Sequence, residues 1–152
     1  MEITVVTPTV GPSARRLEVL CRELRAFTSL PYRHIVSDDG TPAPDFQAEQ
    51  VVVCERYGAR HVVNPGPFGL PENLNFALSY VETPWAFLIE DGVRPSRNWL
   101  EVTSGFLDLV HDRTFQGRRV SQVGHSHIQD WILAMAGIIT GDPLDWFCAK
   151  DG

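Results

Sequence analysis

The chain has 152 residues, 43% of them hydrophobic and 21% charged, ordinary globular values that exclude a disordered chain, a collagen-like chain and a disulfide-stapled miniprotein. The length suits one compact domain able to bury a real core. Thirteen basic against nineteen acidic side chains leave a net charge of −6, so no nucleic-acid surface is expected, because contact with a phosphate backbone needs clustered Lys and Arg.

Ile3 to Thr7 is a β-branched run without alternation, ended by Pro8, and reads as a central strand covered on both faces. A helix follows, with Leu17, Leu20, Cys21, Leu24 and Phe27 at helical spacing, Ser13 as cap and Pro31 as stop. His34 to Val36 is a second strand, broken by the turn formers Asp38, Asp39, Gly40 and Thr41. Asp45 to Tyr57 reads as a second helix, capped by Asp45, with Phe46, Val53 and Tyr57 on one stripe and Gly58 at its end.

His61 to Val63 makes a third strand. After a loop from Asn64 to Gly69, Pro71 stands at a first helical position and Leu74, Ala77, Leu78 and Val81 form an apolar face. Trp85 to Ile89 is a fourth strand, closed by Glu90, Asp91 and Gly92, and Trp99 to Val110 is a further helix. Residues 113–127 read as a loop or weak strands, and Ile132 to Thr140 as a buried strand or helix. Alternation of strand and helix predicts right-handed crossovers and an α/β fold, with a mostly parallel central sheet flanked by helices on both faces.

No stretch reaches the roughly 20 apolar residues that span a bilayer, and no signal peptide is visible, so the cytoplasm is the expected compartment. Cys21, Cys54 and Cys148 have no metal or disulfide spacing and read as buried or idle thiols. Neither the dinucleotide fingerprint nor the phosphate loop ending in Gly-Lys-Ser/Thr occurs.

In open parallel sheets ligands collect at the carboxyl ends of the strands. Those ends carry Pro8-Thr9, Asp38-Asp39-Gly40-Thr41, Asn64 to Gly69, and Glu90-Asp91-Gly92. Asp-Gly is an ordinary turn dipeptide, but two acidic pairs on one sheet edge repel unless a cation or ligand donors compensate them.

These segments, in order, are Val5-Val6-Thr7-Pro8-Thr9, Val36-Ser37-Asp38-Asp39-Gly40-Thr41, Asn64-Pro65-Gly66 running into Glu72-Asn73-Leu74-Asn75-Phe76-Ala77-Leu78, and Trp85-Ala86-Phe87-Leu88-Ile89-Glu90-Asp91 with Pro95 and Trp99 beyond. Together they resemble the nucleotide-binding half of the family-2-type, GT-A-fold glycosyltransferases, over about residues 2–101. The resemblance implies transfer of a sugar from a nucleoside diphosphate sugar donor to an acceptor hydroxyl, inverting and assisted by Mg²⁺ or Mn²⁺.

By that resemblance Pro8 and Thr9 lie beside the nucleoside, and Asp38 and Asp39 belong to the same site, with Asp39 accepting a hydrogen bond from the base ring. Gly69, Asn73 and Asn75, at the start of the third helix, stand against the donor. Glu90 and Asp91 fall where the family carries its acidic motif, Asp91 as the metal ligand, since hard cations take oxygen ligands and offset a leaving diphosphate. Glu90 stands where Asp is more usual, Gly92 removes a third acid, and Leu74 stands where many members have Arg.

The reading is of residues 1–152 as one domain, with a nucleotide-sugar-binding half at 1–101 and a short acceptor half at 102–152. Ala134 to Gly137 and Trp146 to Asp151 resemble the acceptor-side segment that ends in the family's catalytic base, which makes Asp151 the candidate base. His125 and His127 are a candidate metal pair, and Trp131 and Trp146 candidate sugar platforms. The rival reading is a catalytically incomplete nucleotide-sugar-binding module, or a subunit completed by a partner. A lower one is a nucleotidyltransferase, disfavoured because no Gly-rich, basic loop follows the first strand. The acceptor, and association with a second copy of the chain, are left open.

Overall fold

The computed structural model describes residues 2–95 and 97–109. Met1–Glu101 form one compact unit and Val102–Gly152 a second. Among the described residues four strands and four helices alternate: β1 (Ile3–Thr9), α1 (Ala14–Phe27), β2 (Arg33–Asp38), α2 (Pro44–Tyr57), β3 (Arg60–Val63), α3 (Leu70–Leu78), β4 (Trp85–Leu88) and α4 (Trp99–Leu109). The strands lie in the order β3-β2-β1-β4 and every pair is parallel, as the alternation predicts.

β1 is buried along its whole length, because it is sandwiched between two strands and covered on both faces. On one face Val5, Leu20, Leu24 and Ile89 pack together, continued by Leu17, Cys21, Val36, Val53 and Cys54. On the other Val6, Ile35, Val62 and Ala77 meet Phe76, Tyr80 and Leu88. Successive residues of β1 and β2 thus serve opposite helical layers, α1 and α2 against α3, which is the period-2 geometry of a strand. Each fully buried Leu or Val in these layers contributes about 1.5–3 kcal/mol.

β1 runs two residues further than expected and contains Pro8. The Val6 carbonyl accepts the Ile89 N–H at 3.0 Å, so Val6 faces β4, and Pro8, two residues on, faces the same way. The β4 ladder has its last register pair at Val6 and Leu88. The missing N–H of Pro8 therefore costs no ladder bond.

α2 starts at Pro44 behind Ala43 rather than behind Asp45, and Gly58 ends it at φ 71°. Its buried residues are Gln50, Val53 and Cys54; of the expected stripe Val53 is in the core and Tyr57 packs against it, while Phe46 is only partly buried. Gln50 is fully buried because its amide is satisfied: Oε1 accepts from the Thr9 hydroxyl at 3.1 Å and lies 3.1 Å from His61 Nε2, while Nε2 donates to the Gly11 carbonyl at 3.1 Å. α4 reaches back through Glu101, whose carboxylate accepts from the Thr28 hydroxyl at 3.0 Å and from the Ser29 N–H at the end of α1.

Cys21 and Cys54 are buried and free, and burial pushes both thiols up to about 12, which makes them packing groups rather than nucleophiles. Among the described residues no helix is long and apolar enough to cross a membrane.

Candidate functional site

A strand order of β3-β2-β1-β4 means that the chain winds outward from β1 in one direction, then crosses back to place β4 on its other side. The crossovers part between β1 and β4, and at such a switch point the loops leave a crevice above the strand ends. The cleft found there has a volume of about 300 Å³ and is lined by Pro8, Thr9, Val10, Arg16, Asp39, Leu70, Asn73, Glu90 and Asp91. Three strand ends, those of β1, β2 and β4, and two helix starts, those of α1 and α3, converge on it. Residues as far apart as Pro8 and Asp91 thereby share one surface.

β1 delivers Pro8 and Thr9, and Thr9 is fixed by its hydroxyl bond to Gln50. Asp39 follows β2 directly, and its N–H donates to the Thr9 carbonyl at 2.9 Å, extending the β1–β2 ladder by one rung. Its carboxylate organises the loop before α3: Oδ1 accepts from Asn64 Nδ2 at 3.0 Å and Oδ2 from the Gly69 N–H at 2.8 Å. Gly69 holds φ 131° and ψ 155° at the cap of α3, a conformation open essentially to glycine alone, and so turns its N–H toward Asp39.

Asn73, one turn into α3, is 1% exposed. Its Oδ1 accepts the Ser37 hydroxyl at 2.6 Å and its Nδ2 donates to the Ser37 carbonyl at 2.9 Å. This bidentate clasp pins the start of α3 to the end of β2, so Asn73 shapes the cleft wall.

Three expected site residues lie elsewhere. Asp38 is fully buried and does not line the cleft. Strand alternation turns it opposite to Asp39, and its Oδ1 accepts both the N–H and the hydroxyl of Thr41, at 3.1 and 2.5 Å, closing the turn. Asn75, two residues past Asn73, falls on the far side of α3 and is exposed. Gly69 sits behind the cleft wall and acts through Asp39. Asp151, His125, His127, Trp131 and Trp146 lie outside the described residues.

Arg16 was not anticipated. It stands in the first turn of α1, and its guanidinium grips Asp91 side-on, Nε to Oδ1 at 3.2 Å and Nη2 to Oδ2 at 3.1 Å. The signal was legible: α1 begins five residues beyond β1, so its first turn must stand over the sheet edge, and Arg15-Arg16 occupy that turn. Asn64, 3% exposed and bonded to Asp39, the Pro67 carbonyl and the Gly66 N–H, orders the loop before α3; the sequence places it at a strand end but not among the site residues.

The expectation of Mg²⁺ or Mn²⁺ at Asp91 meets this arrangement poorly. Both Asp91 oxygens are engaged by one guanidinium, and both Asp39 oxygens accept from protein N–H groups. Among the described residues no group of three or more His, Cys, Asp or Glu side chains is placed to hold a metal ion. A dication on Asp91 would also sit against the positive charge of Arg16, at a separation where like charges repel. As arranged, the cleft does not fit a divalent cation.

No protein-family model matches the sequence, and no curated protein does. Solved structures do match. The crystal structure of S. aureus TarS 1-349 superposes with a TM-score of 0.54 at 22% identity, covering 80% of this chain and 39% of that one. TarS 1-349 in complex with UDP gives 0.55 at 21%, covering 80% and 38%, and its complex with UDP-GlcNAc gives 0.54 at 24%, covering 80% and 37%. The chain thus spans well under two-thirds of the length of the structures it matches. At these identities the likeness is one of fold. The chain has the GT-A fold, that of the family-2-type glycosyltransferases whose strand-end residues its own resemble.

Proposed function

We propose that this chain binds a nucleoside diphosphate sugar in the cleft at the β1–β4 switch point and transfers the sugar, with inversion, to an acceptor hydroxyl. One observation carries the reading: Pro8, Thr9, Asp39, Asn73, Glu90 and Asp91, drawn from the ends of β1, β2 and β4 and the start of α3, line a single cleft. The TarS structures that share this fold hold UDP and UDP-GlcNAc, which supports a uridine nucleotide as the first ligand to try.

Within that reading the nucleoside lies along Pro8 and Thr9. Asp39 takes an N–H of the base: each carboxylate oxygen can accept two hydrogen bonds, and Asn64 and Gly69 use one apiece. The sugar and diphosphate extend toward Glu90 and Asp91. Transfer needs a general base within about 3 Å of the acceptor hydroxyl, or one water away, and Asp151 is the residue proposed for it.

The test is titration calorimetry of UDP and GDP into the full chain, paired with an assay of nucleoside diphosphate release from a panel of donor sugars. Binding of one nucleotide, with loss of roughly tenfold or more in Asp39→Ala, together with release, supports the enzyme. Binding without release from any donor assigns the chain to a non-catalytic nucleotide-sugar-binding module. Absence of nucleotide binding rejects the proposal.

A further inference from the structure

Among the described residues that line the cleft, Arg16 is the one basic side chain, and it rests on the acid expected to hold a metal. We propose that Arg16, rather than a divalent cation on Asp91, is the positive group that receives the diphosphate, and that the Arg16–Asp91 pair is the resting form of this anion site. The proposal rests on the reading of the cleft as a nucleotide-sugar site.

Geometry favours the exchange. A guanidinium presents parallel N–H groups in a planar fork that fits a carboxylate and a phosphate alike. Two of those N–H groups are spent on Asp91, which leaves the rest of the fork to an incoming anion. The Arg16 side chain is 52% exposed while Asp91 is 13% exposed. The cation is thus the more accessible partner, and the acid the more enclosed one. Ion pairs with an exposed member are weak, so an anion of higher charge than a carboxylate can draw the guanidinium over without a large penalty.

The position of Arg16 on its helix points the same way. It occupies the first turn of α1, which carries no acidic residue, and a cation there opposes the positive end of the helix dipole. Asp91 offsets that clash in the resting chain, and a bound diphosphate would offset it more fully. Placing a dication on Asp91 adds a third positive element to the same corner. Asp91 is accordingly the resting counter-ion of Arg16, occupying its fork until the diphosphate displaces it.

The test is calorimetry of UDP and GDP binding to the full chain in EDTA and in Mn²⁺, with the electron paramagnetic resonance of free Mn²⁺ as an independent measure of metal uptake. Saturation-transfer NMR with the matching nucleoside reports the part of the site that holds no phosphate. The diphosphate is expected to bind in EDTA within a few-fold of its affinity in Mn²⁺. Arg16→Ala should weaken it roughly tenfold or more and leave the nucleoside signal unchanged. Arg16→Lys should recover part of the loss, since Lys keeps the charge without the fork. Asp91→Asn should bind the diphosphate at least as tightly as the parent, because it removes the competing anion. Arg56→Ala, an exposed arginine paired with Glu18 outside the cleft lining, should change nothing. Binding that vanishes in EDTA, unchanged affinity in Arg16→Ala, or loss of both binding and Mn²⁺ uptake in Asp91→Asn would each overturn the proposal. If nucleotide and nucleoside both fail to bind the folded parent chain, the nucleotide reading itself falls, and this proposal with it. That outcome differs from one in which the nucleoside binds and Arg16 proves idle.

Discussion

At the scale of single residues, the cleft is organised by side chains that spend their polar groups on the protein. Asp39 is the hub, because it holds Asn64 and the Gly69 N–H while sitting at the end of β2. Asp39→Ala should therefore lower stability by about 1–3 kcal/mol, the usual cost of leaving a buried donor unpaired, as well as weaken nucleotide binding. Chemical denaturation checks the first effect separately from calorimetry. Gly69→Ala should cost about 1–3 kcal/mol as well, since φ 131° is a glycine conformation. A Cβ there also comes within 2.6 Å of Glu72 Oε2, but that exposed side chain can swing away. Strain is then the whole effect, and an unchanged denaturation midpoint would refute it.

Between elements, buried polar clasps decide how the layers meet. Asn73 joins α3 to β2 through two hydrogen bonds. Asn73→Leu should therefore destabilise the fold by a few kcal/mol despite adding an apolar group to a buried site, because the Ser37 carbonyl and hydroxyl lose their partner. Thermal unfolding with and without UDP measures both the loss and any loosening of the cleft wall.

His34 joins β2 to β1 and α1: its Nε2 lies 2.9 Å from the Thr7 hydroxyl and its Nδ1 3.8 Å from Cys21 Sγ. Burial lowers its pKa from 6.5 to about 4, so the folded chain keeps the ring neutral where the unfolded chain protonates it. In that window the unfolded state binds more protons, and stability rises with pH. The contribution is complete above pH 6.5 and falls away as the pH drops toward about 4. His61, also lowered by burial against an opposing pull from Asp38, acts in the same sense. Denaturation from pH 7 to 4 should show this slope. His34→Gln, which keeps a hydrogen-bonding group beside Thr7, should flatten most of it, and an unaltered slope would remove His34 as its source.

For the whole molecule, what matters is that one topological feature, the reversal of winding at β1, makes the cleft and selects its lining. The proposed transfer further requires that cleft to be joined to an acceptor side and a base. Deleting residues 146–152 is expected to abolish sugar transfer while sparing UDP affinity, because the proposed base Asp151 lies in that segment and the cleft residues do not. Release assays and calorimetry on the same protein separate the two, and unchanged transfer would exclude Asp151.

Much of this architecture is written locally. Unbroken β-branched runs such as Ile3–Thr7 mark strands buried on both faces. Amphipathic spacing from Leu17 to Phe27, Gly58 after α2 and Pro71 at the start of α3 each fix an element through its own backbone preferences, and their alternation determines a parallel α/β sheet. The strand-end residues Pro8, Thr9, Asp39 and Asp91 were likewise legible, because a parallel sheet puts every carboxyl end on one edge. Contacts between elements were not. Whether Asp38 or Asp39 faces the cleft depends on the pleat at the last residues of β2, and which face of α3 meets β2 depends on the Asn73 clasp. The burial of Gln50 required Thr9 and Gly11, at the end of β1, and His61, in β3, to arrive from two other segments. The pairing of Arg16 with Asp91, 75 positions apart, exists only because β4 returns to the side of β1 opposite β2. Local sequence determines which backbone each segment adopts, whereas the partner of a charged side chain is set by whatever the completed topology brings within a few ångströms, and that decided the chemistry of this site.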